Sequence, residues 1–240
     1  MIDIFGFQFD PLAFAYAAST WIPAVLLAIT LHEAAHGWVA DKLGDDTARM
    51  QGRVTFNPLK HIDKFGTIIL PALLFVLSGG RAMFGWAKPV PVNFARLRHP
   101  RRDMVLVAAA GPAMNLVLAI IAASMLNVIL YMEAAWVAWV FQMLVNMVFL
   151  NAILCVFNML PLPPLDGGRV AVGLLPDRLA IPLARLEPIG MVVVLGAFFI
   201  LPIIGSQLGT SIDVFGTLVG VPAEGLMRII FSLVGLPVSV

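Results

Sequence analysis

His32, Glu33, Ala34, Ala35 and His36 form an H-E-x-x-H pentapeptide inside an apolar stretch, residues 24–40. On a helix, side chains four residues apart share one face, so both imidazoles can reach a single metal ion. Glu33 stands beside them, where it can take a proton from a metal-activated water. Zinc suits such ligands and lowers the pKa of a bound water to about 7. Two histidines that merely pack against a neighbouring helix are the competing explanation. It is disfavoured because ionisable side chains in an apolar, membrane-length segment are costly and usually functional. A catalytic zinc needs a third protein ligand and one open position. Residues 158–168, NMLPLPPLDGG, hold a candidate. Pro161, Pro163 and Pro164 stop a helix and force extended backbone. Gly167 and Gly168 then permit a tight turn. Asp166 is therefore either carried back toward the metal or used to cap the next helix. Spacing alone does not choose between these.

The elements that must position these residues belong to a membrane. The chain has 240 residues, 60% hydrophobic and 12% charged, against about 45–50% and about 25% in soluble domains. A soluble fold of this size cannot hide so much apolar surface. Predicted spans, each near the roughly 20 residues a bilayer requires, cover residues 11–40, 103–131, 134–160 and 188–204. A last apolar stretch, 214–240, is interrupted by Pro222, Glu224 and Arg228 and either spans or lies in the interface. Residues 66–77 are too few to cross; with Pro71 inside and Gly79–Gly80 behind, they read as a re-entrant segment. Residues 51–56 (QGRVTF) and 88–93 (KPVPVN) look extended and are expected to form a small hairpin or edge sheet at the cytoplasmic side. An edge there could pair with an unwound peptide. The expected fold class is thus an all-α polytopic membrane protein of about five spans, plus that re-entrant segment and small sheet. It forms one domain, residues 1–240, with a catalytic core over about 11–170 and C-terminal helices over about 171–240.

Charge orients the spans. Fourteen of the 15 Lys and Arg residues lie between Lys42 and Arg185, in three groups: 42–64, 81–102 and 169–185. Positive residues stay cytoplasmic. All three groups can do so only if residues 66–77 dip in and return. The N-terminus is then outside and the end of the first span, with His36, faces the cytoplasm. The start, MIDIFGFQFD, has no Lys or Arg and is not expected to be a secretory signal. A net charge of +1 offers no field for nucleic acid. A single cysteine, Cys155, excludes an internal disulfide framework.

HEAAH on a membrane helix, Gly111-Pro112-Ala113-Met114-Asn115 on the next, and Asn158-x-x-Pro161 followed by Asp166-Gly167 together resemble the site-2 protease family of intramembrane zinc metalloproteases. Residues 85–93 (GWAKPVPVN) are also similar to its compact bacterial members, and the resemblance covers roughly residues 26–170. It implies one zinc per chain held by His32, His36 and Asp166, with Glu33 as general base. It implies that Asn158 donates to the developing oxyanion. The implied substrate is a single-span membrane protein cleaved in or near its spanning helix. The implied location is the cell membrane, a bacterial inner or plasma membrane, with the active site toward the cytoplasm. The chain leaves no room for an inserted PDZ domain or a C-terminal CBS pair and is expected to be a reduced form.

Asn115 either bonds a neighbouring helix or supports substrate or a zinc ligand. His61 and His99 are expected to be solvated surface histidines, Cys155 a buried small hydrophobe, and Trp136, Trp139 and Phe141 interface anchors. The cluster over residues 96–102 is expected to meet anionic headgroups. Two other classes compete with a protease. One is a metal-ion transporter or channel, which needs no general base. The other is a non-catalytic membrane scaffold.

Overall fold

A computed structural model describes residues 2–4, 7–77 and 85–237. Two short strands, β1 (Ile2–Ile4) and β2 (Phe7–Phe9), pair antiparallel at the start of the chain. Helix α1 follows (Pro11–Lys42). Asp10 opens it by accepting the Leu12 and Ala13 N–H groups, with Pro11 in the first turn, where no N–H is needed. It closes at Gly44, whose φ of 115° suits glycine. Next come the short α2 (Thr47–Met50) and a π-wound turn, Lys64–Ile69, that runs into α3 (Leu70–Leu77). The helices that follow are α4 (Pro100–Ile129), α5 (Val137–Asn158), α6 (Asp166–Leu174), α7 (Asp177–Ala184), α8 (Glu187–Leu195), α9 (Leu201–Gln207) and α10 (Val221–Leu233).

Among the described residues, five helical stretches are long and apolar enough to cross a membrane: α1, α4, α5, Glu187–Gln207 and Gly216–Leu233. The last of these runs helically through Pro222, Glu224 and Arg228, where Glu224 and Arg228 pair across one turn at 2.6 Å. The expected short segment is helical over Lys64–Leu77; Gly79–Gly80 lie outside the described residues. Small residues let the long helices meet. Ala24 and Ala28 of α1 and Ala119, Ala122 and Ala123 of α4 are fully buried, and backbones approach closely where side chains are small. Around them pack Leu126, Leu144, Met147, Val148 and Ile230. Outward, Leu26, Leu27, Val117, Ile121 and Met125 stand exposed. A surface so apolar on its long helices suits lipid.

The sheet expected at the cytoplasmic side does not form. Residues 51–56 run through a turn and bends, and residues 88–93 carry no strand. Pro89 and Pro91 have no N–H to give a ladder. The neighbouring N–H groups are used elsewhere: Lys88 on the His61 carbonyl, Val90 on Glu33 and Asn93 on Asp45. Among the described residues the only strands are the N-terminal pair.

Among the described residues, the second basic stretch meets the chain beside the first and the third. Arg96 pairs with Asp46 at 2.8 Å, and Arg101 pairs with Asp177 at 2.7 Å. Arg101 also donates to the Gly173 and Leu175 carbonyls.

Candidate metal centre

Helix α1 presents His32 and His36 on one face. Helix α6 begins at Asp166, after the proline-rich break turns the chain back from the end of α5. That reversal explains the two glycines. A Cβ on Gly167 would lie 2.2 Å from the Met159 carbonyl oxygen, and one on Gly168 would lie 2.1 Å from Pro163 N. Leu165 occupies the cap position of α6, and Asp166 is turned toward the histidines. Helix capping, the competing use of Asp166, is therefore not the one adopted.

The three ligand atoms converge. His32 Nε2 and His36 Nε2 are 3.1 Å apart, and each is 3.3 Å from Asp166 Oδ2. Ligands about 2.0–2.2 Å from a tetrahedral zinc lie roughly 3.3–3.6 Å from one another, so the spacing fits. All three residues are buried, and Asp166 Oδ2 accepts no well-aligned hydrogen bond.

The tautomers follow from a chain of hydrogen bonds that ends on the backbone. The Met147 carbonyl can only accept, so the Asn151 amide nitrogen faces it, at 2.8 Å. Asn151 Oδ1 then accepts from Asn115 Nδ2 at 2.8 Å, which leaves Asn115 Oδ1 to accept from His32 Nδ1–H at 2.6 Å. His36 Nδ1–H donates to the Val107 carbonyl at 2.7 Å. With both Nδ1 atoms protonated, both Nε2 atoms carry lone pairs aimed at one place. Two such lone pairs and a carboxylate oxygen need a cation between them, and outer partners of this kind orient metal-binding histidines. Asn115 thus orients a candidate metal ligand. Asn151 was missed by sequence reasoning; its signal was a polar amide inside an apolar helix.

Gly111 has a part in this. A Cβ there would sit 2.3 Å from His36 Nε2 and 2.6 Å from His32 Cε1 and Nε2. Only glycine lets α4 lie against the two imidazoles.

A cavity of about 360 Å³ opens over the three residues, and Glu33 and Asn158 both line it. Glu33 Oε2 accepts the Val90 N–H at 2.7 Å. Asn158 donates one amide hydrogen to the Leu154 carbonyl of its own helix at 3.0 Å. The five residues singled out from the sequence are therefore brought to one place. His99 is exposed, as expected. His61 is not: it is 2% exposed, with Nε2 bonded to the Thr55 carbonyl at 3.1 Å and its own carbonyl accepting the Lys88 N–H. Burial, reinforced by the Arg53 charge, holds its imidazole below the usual range against the pull of that carbonyl.

Comparison with known proteins agrees with this geometry. The model for peptidase family M50 matches residues 20–132 and 122–202. The Bacillus subtilis (strain 168) protein named "Putative zinc metalloprotease YwhC" is 42% identical over 178 residues, 72% of this chain and 77% of the relative. Proteins named "Putative zinc metalloprotease Rip2" are 31% identical in Mycolicibacterium smegmatis, over 65% of this chain, and 32% in Mycobacterium tuberculosis, over 68%. The matches span 58% and 60% of those two relatives. No solved structure matches. With its H-E-x-x-H histidines and Asp166 gathered as a zinc site and the family model matching most of its length, the chain belongs to peptidase family M50, the site-2 protease family of zinc metalloproteases.

Proposed function

We propose that the chain hydrolyses peptide bonds in or near the membrane-spanning helix of a single-span substrate, using one zinc per chain. The observation that carries this reading is the cavity in which Glu33 and Asn158 stand over His32, His36 and Asp166. His32, His36 and Asp166 would hold the zinc. When bound, zinc supplies Lewis acidity and a water that is nucleophilic at neutral pH. Glu33 takes the proton from the attacking water and delivers it to the leaving amine. Asn158 gives its remaining amide hydrogen to the substrate carbonyl oxygen as negative charge develops. A helical substrate has its carbonyls hydrogen-bonded and must unwind locally before attack.

The active site faces the cytoplasmic side of a cell membrane in this reading. Two observations support it. The second basic stretch meets the chain beside the first and the third, as the positive-inside rule requires of groups that share one side. His32 lies ten residues before the Lys42 end of α1, a rise of about 15 Å, which is shallow enough for water to reach.

The test is cleavage of a tagged single-span substrate by purified protein in detergent, with wild type and Glu33→Gln compared and bound zinc measured in both. Cleavage by wild type alone, with about one zinc in each, is the expected result. Cleavage retained by Glu33→Gln would remove the general base from the mechanism. Absence of zinc from both would overturn the reading. A metal transporter would retain most of its transport without a carboxylate at position 33.

A further inference from the structure

Trp86, Ala87, Pro89, Val90 and Val92 line the cavity, and the backbone of residues 86–93 is tied down along its length. Trp86 N–H donates to the Gly66 carbonyl, and the Trp86 carbonyl accepts from Thr67 Oγ1 at 2.8 Å. Lys88 N–H donates to the His61 carbonyl at 2.9 Å. Asn93 N–H donates to Asp45 Oδ2 at 2.6 Å, and Asp45 is fully buried. The most unusual tie is Arg53. It is 6% exposed, and its Nη2 donates to the Lys88 carbonyl at 2.7 Å and the Pro89 carbonyl at 3.3 Å. Among the described residues it has no carboxylate partner. A buried guanidinium committed to two carbonyls is costly unless the position of those carbonyls matters.

Composition says what is being placed. Pro89 and Pro91 flank Val90, and proline has no N–H. Between Lys88 and Val92, Val90 therefore carries the one backbone donor, and it is the donor on Glu33 Oε2. Glu33 Oε1 has no hydrogen-bond partner among the described residues. A carboxylate bonded through one oxygen is biased toward the rotamer that keeps that bond. We propose that the Val90 amide sets the orientation of Glu33, leaving Oε1 to handle the proton, and that Arg53 is the positioning residue that holds this amide in place. The inference rests on Glu33 being the base of the proposed hydrolysis.

The experiment replaces the Val90 amide by an ester through unnatural-residue incorporation, which deletes the N–H and keeps the side chain. Arg53→Ala and Arg53→Lys are made alongside, with Glu33→Gln as reference. Each protein is assayed for bound zinc, thermal unfolding, kcat and KM on one single-span substrate. The ester and Arg53→Ala should lose about 10- to 100-fold in kcat, with KM and zinc content at wild-type values. Arg53→Lys, which keeps a donor, should recover part of the loss. Wild-type kcat, within about twofold, in the ester variant would overturn the inference while Glu33→Gln stayed inactive. Loss of zinc or a matching rise in KM in the ester variant would also overturn it, because the amide would then act on the fold or on substrate binding. Full activity in Glu33→Gln would instead defeat the hydrolysis mechanism on which the inference rests.

Discussion

Gly111→Ala adds one carbon where α4 lies against the two imidazoles, and it should weaken zinc binding. The new Cβ would lie 2.3 Å from His36 Nε2. Non-bonded heavy atoms settle near 3.5 Å, so the imidazole must retreat by roughly 1 Å. Metal–ligand distances tolerate only about 0.2 Å. Neither ring is free to yield, because His32 Nδ1 is held by Asn115 at 2.6 Å and His36 Nδ1 by the Val107 carbonyl at 2.7 Å. The alternative is for α4 to back away, which loosens those same two bonds and the alanine contacts behind them. Overpacking of this kind costs about 1–3 kcal/mol, equivalent to about 5- to 150-fold in an equilibrium constant. The zinc dissociation constant should therefore rise about 10- to 100-fold. Competition with a chromophoric chelator, checked by metal analysis of the detergent-solubilised protein, reads this directly. Zinc bound at wild-type affinity by a folded Gly111→Ala protein would refute the packing of α4 against the ligands.

Asn115→Ala should weaken zinc binding about 10- to 100-fold, and Asn151→Ala less, since it acts on His32 through Asn115; chelator competition on both should preserve that order. Asn146→Leu, which removes the bond to Thr20 Oγ1 at 3.1 Å, should cost about 0.6 kcal/mol and leave zinc affinity unchanged, as measured by unfolding and metal titration. His61 should make the fold acid-sensitive. Its folded pKa lies below the unfolded value of about 6.5, so the unfolded chain binds a proton first as pH falls. The stability it contributes is complete above about pH 6.5 and is lost as pH falls toward the folded value. Melting of wild type between pH 7.5 and 5.5 should fall more than melting of His61→Gln, and equal falls would show that His61 is not held neutral.

Much of the site was legible because its chemistry is local. His32 and His36 are four positions apart whatever the fold, and helical periodicity puts them on one face. The spans were legible because hydrocarbon imposes length and composition. The edge sheet was misread for a definite reason. An alternation such as KPVPV suggests a strand, but two prolines remove the donors a ladder needs, and the remaining N–H groups had partners elsewhere. The burial of His61 is not legible, because a histidine in a basic, loop-like stretch gives no sign that Lys88, 27 positions on, will bond its carbonyl.

By itself the sequence determined a multi-span apolar chain, a two-histidine zinc motif with an adjacent carboxylate, and a proline–glycine break carrying Asp166. These depend on composition, helical period and backbone restriction, all properties of neighbouring residues. Helix packing alone turns Asp166 to the two histidines rather than leaving it to cap its helix. Only the tertiary structure decided that Gly111 clears space for two imidazoles, that Asn151 orients Asn115 and so His32, and that Arg53 places the Val90 amide on Glu33. Each of these is a contact between residues 35 to 134 positions apart, or about 3 Å between atoms. Such meetings are set by how the helices pack, and nothing in the local chemistry of either partner specifies them.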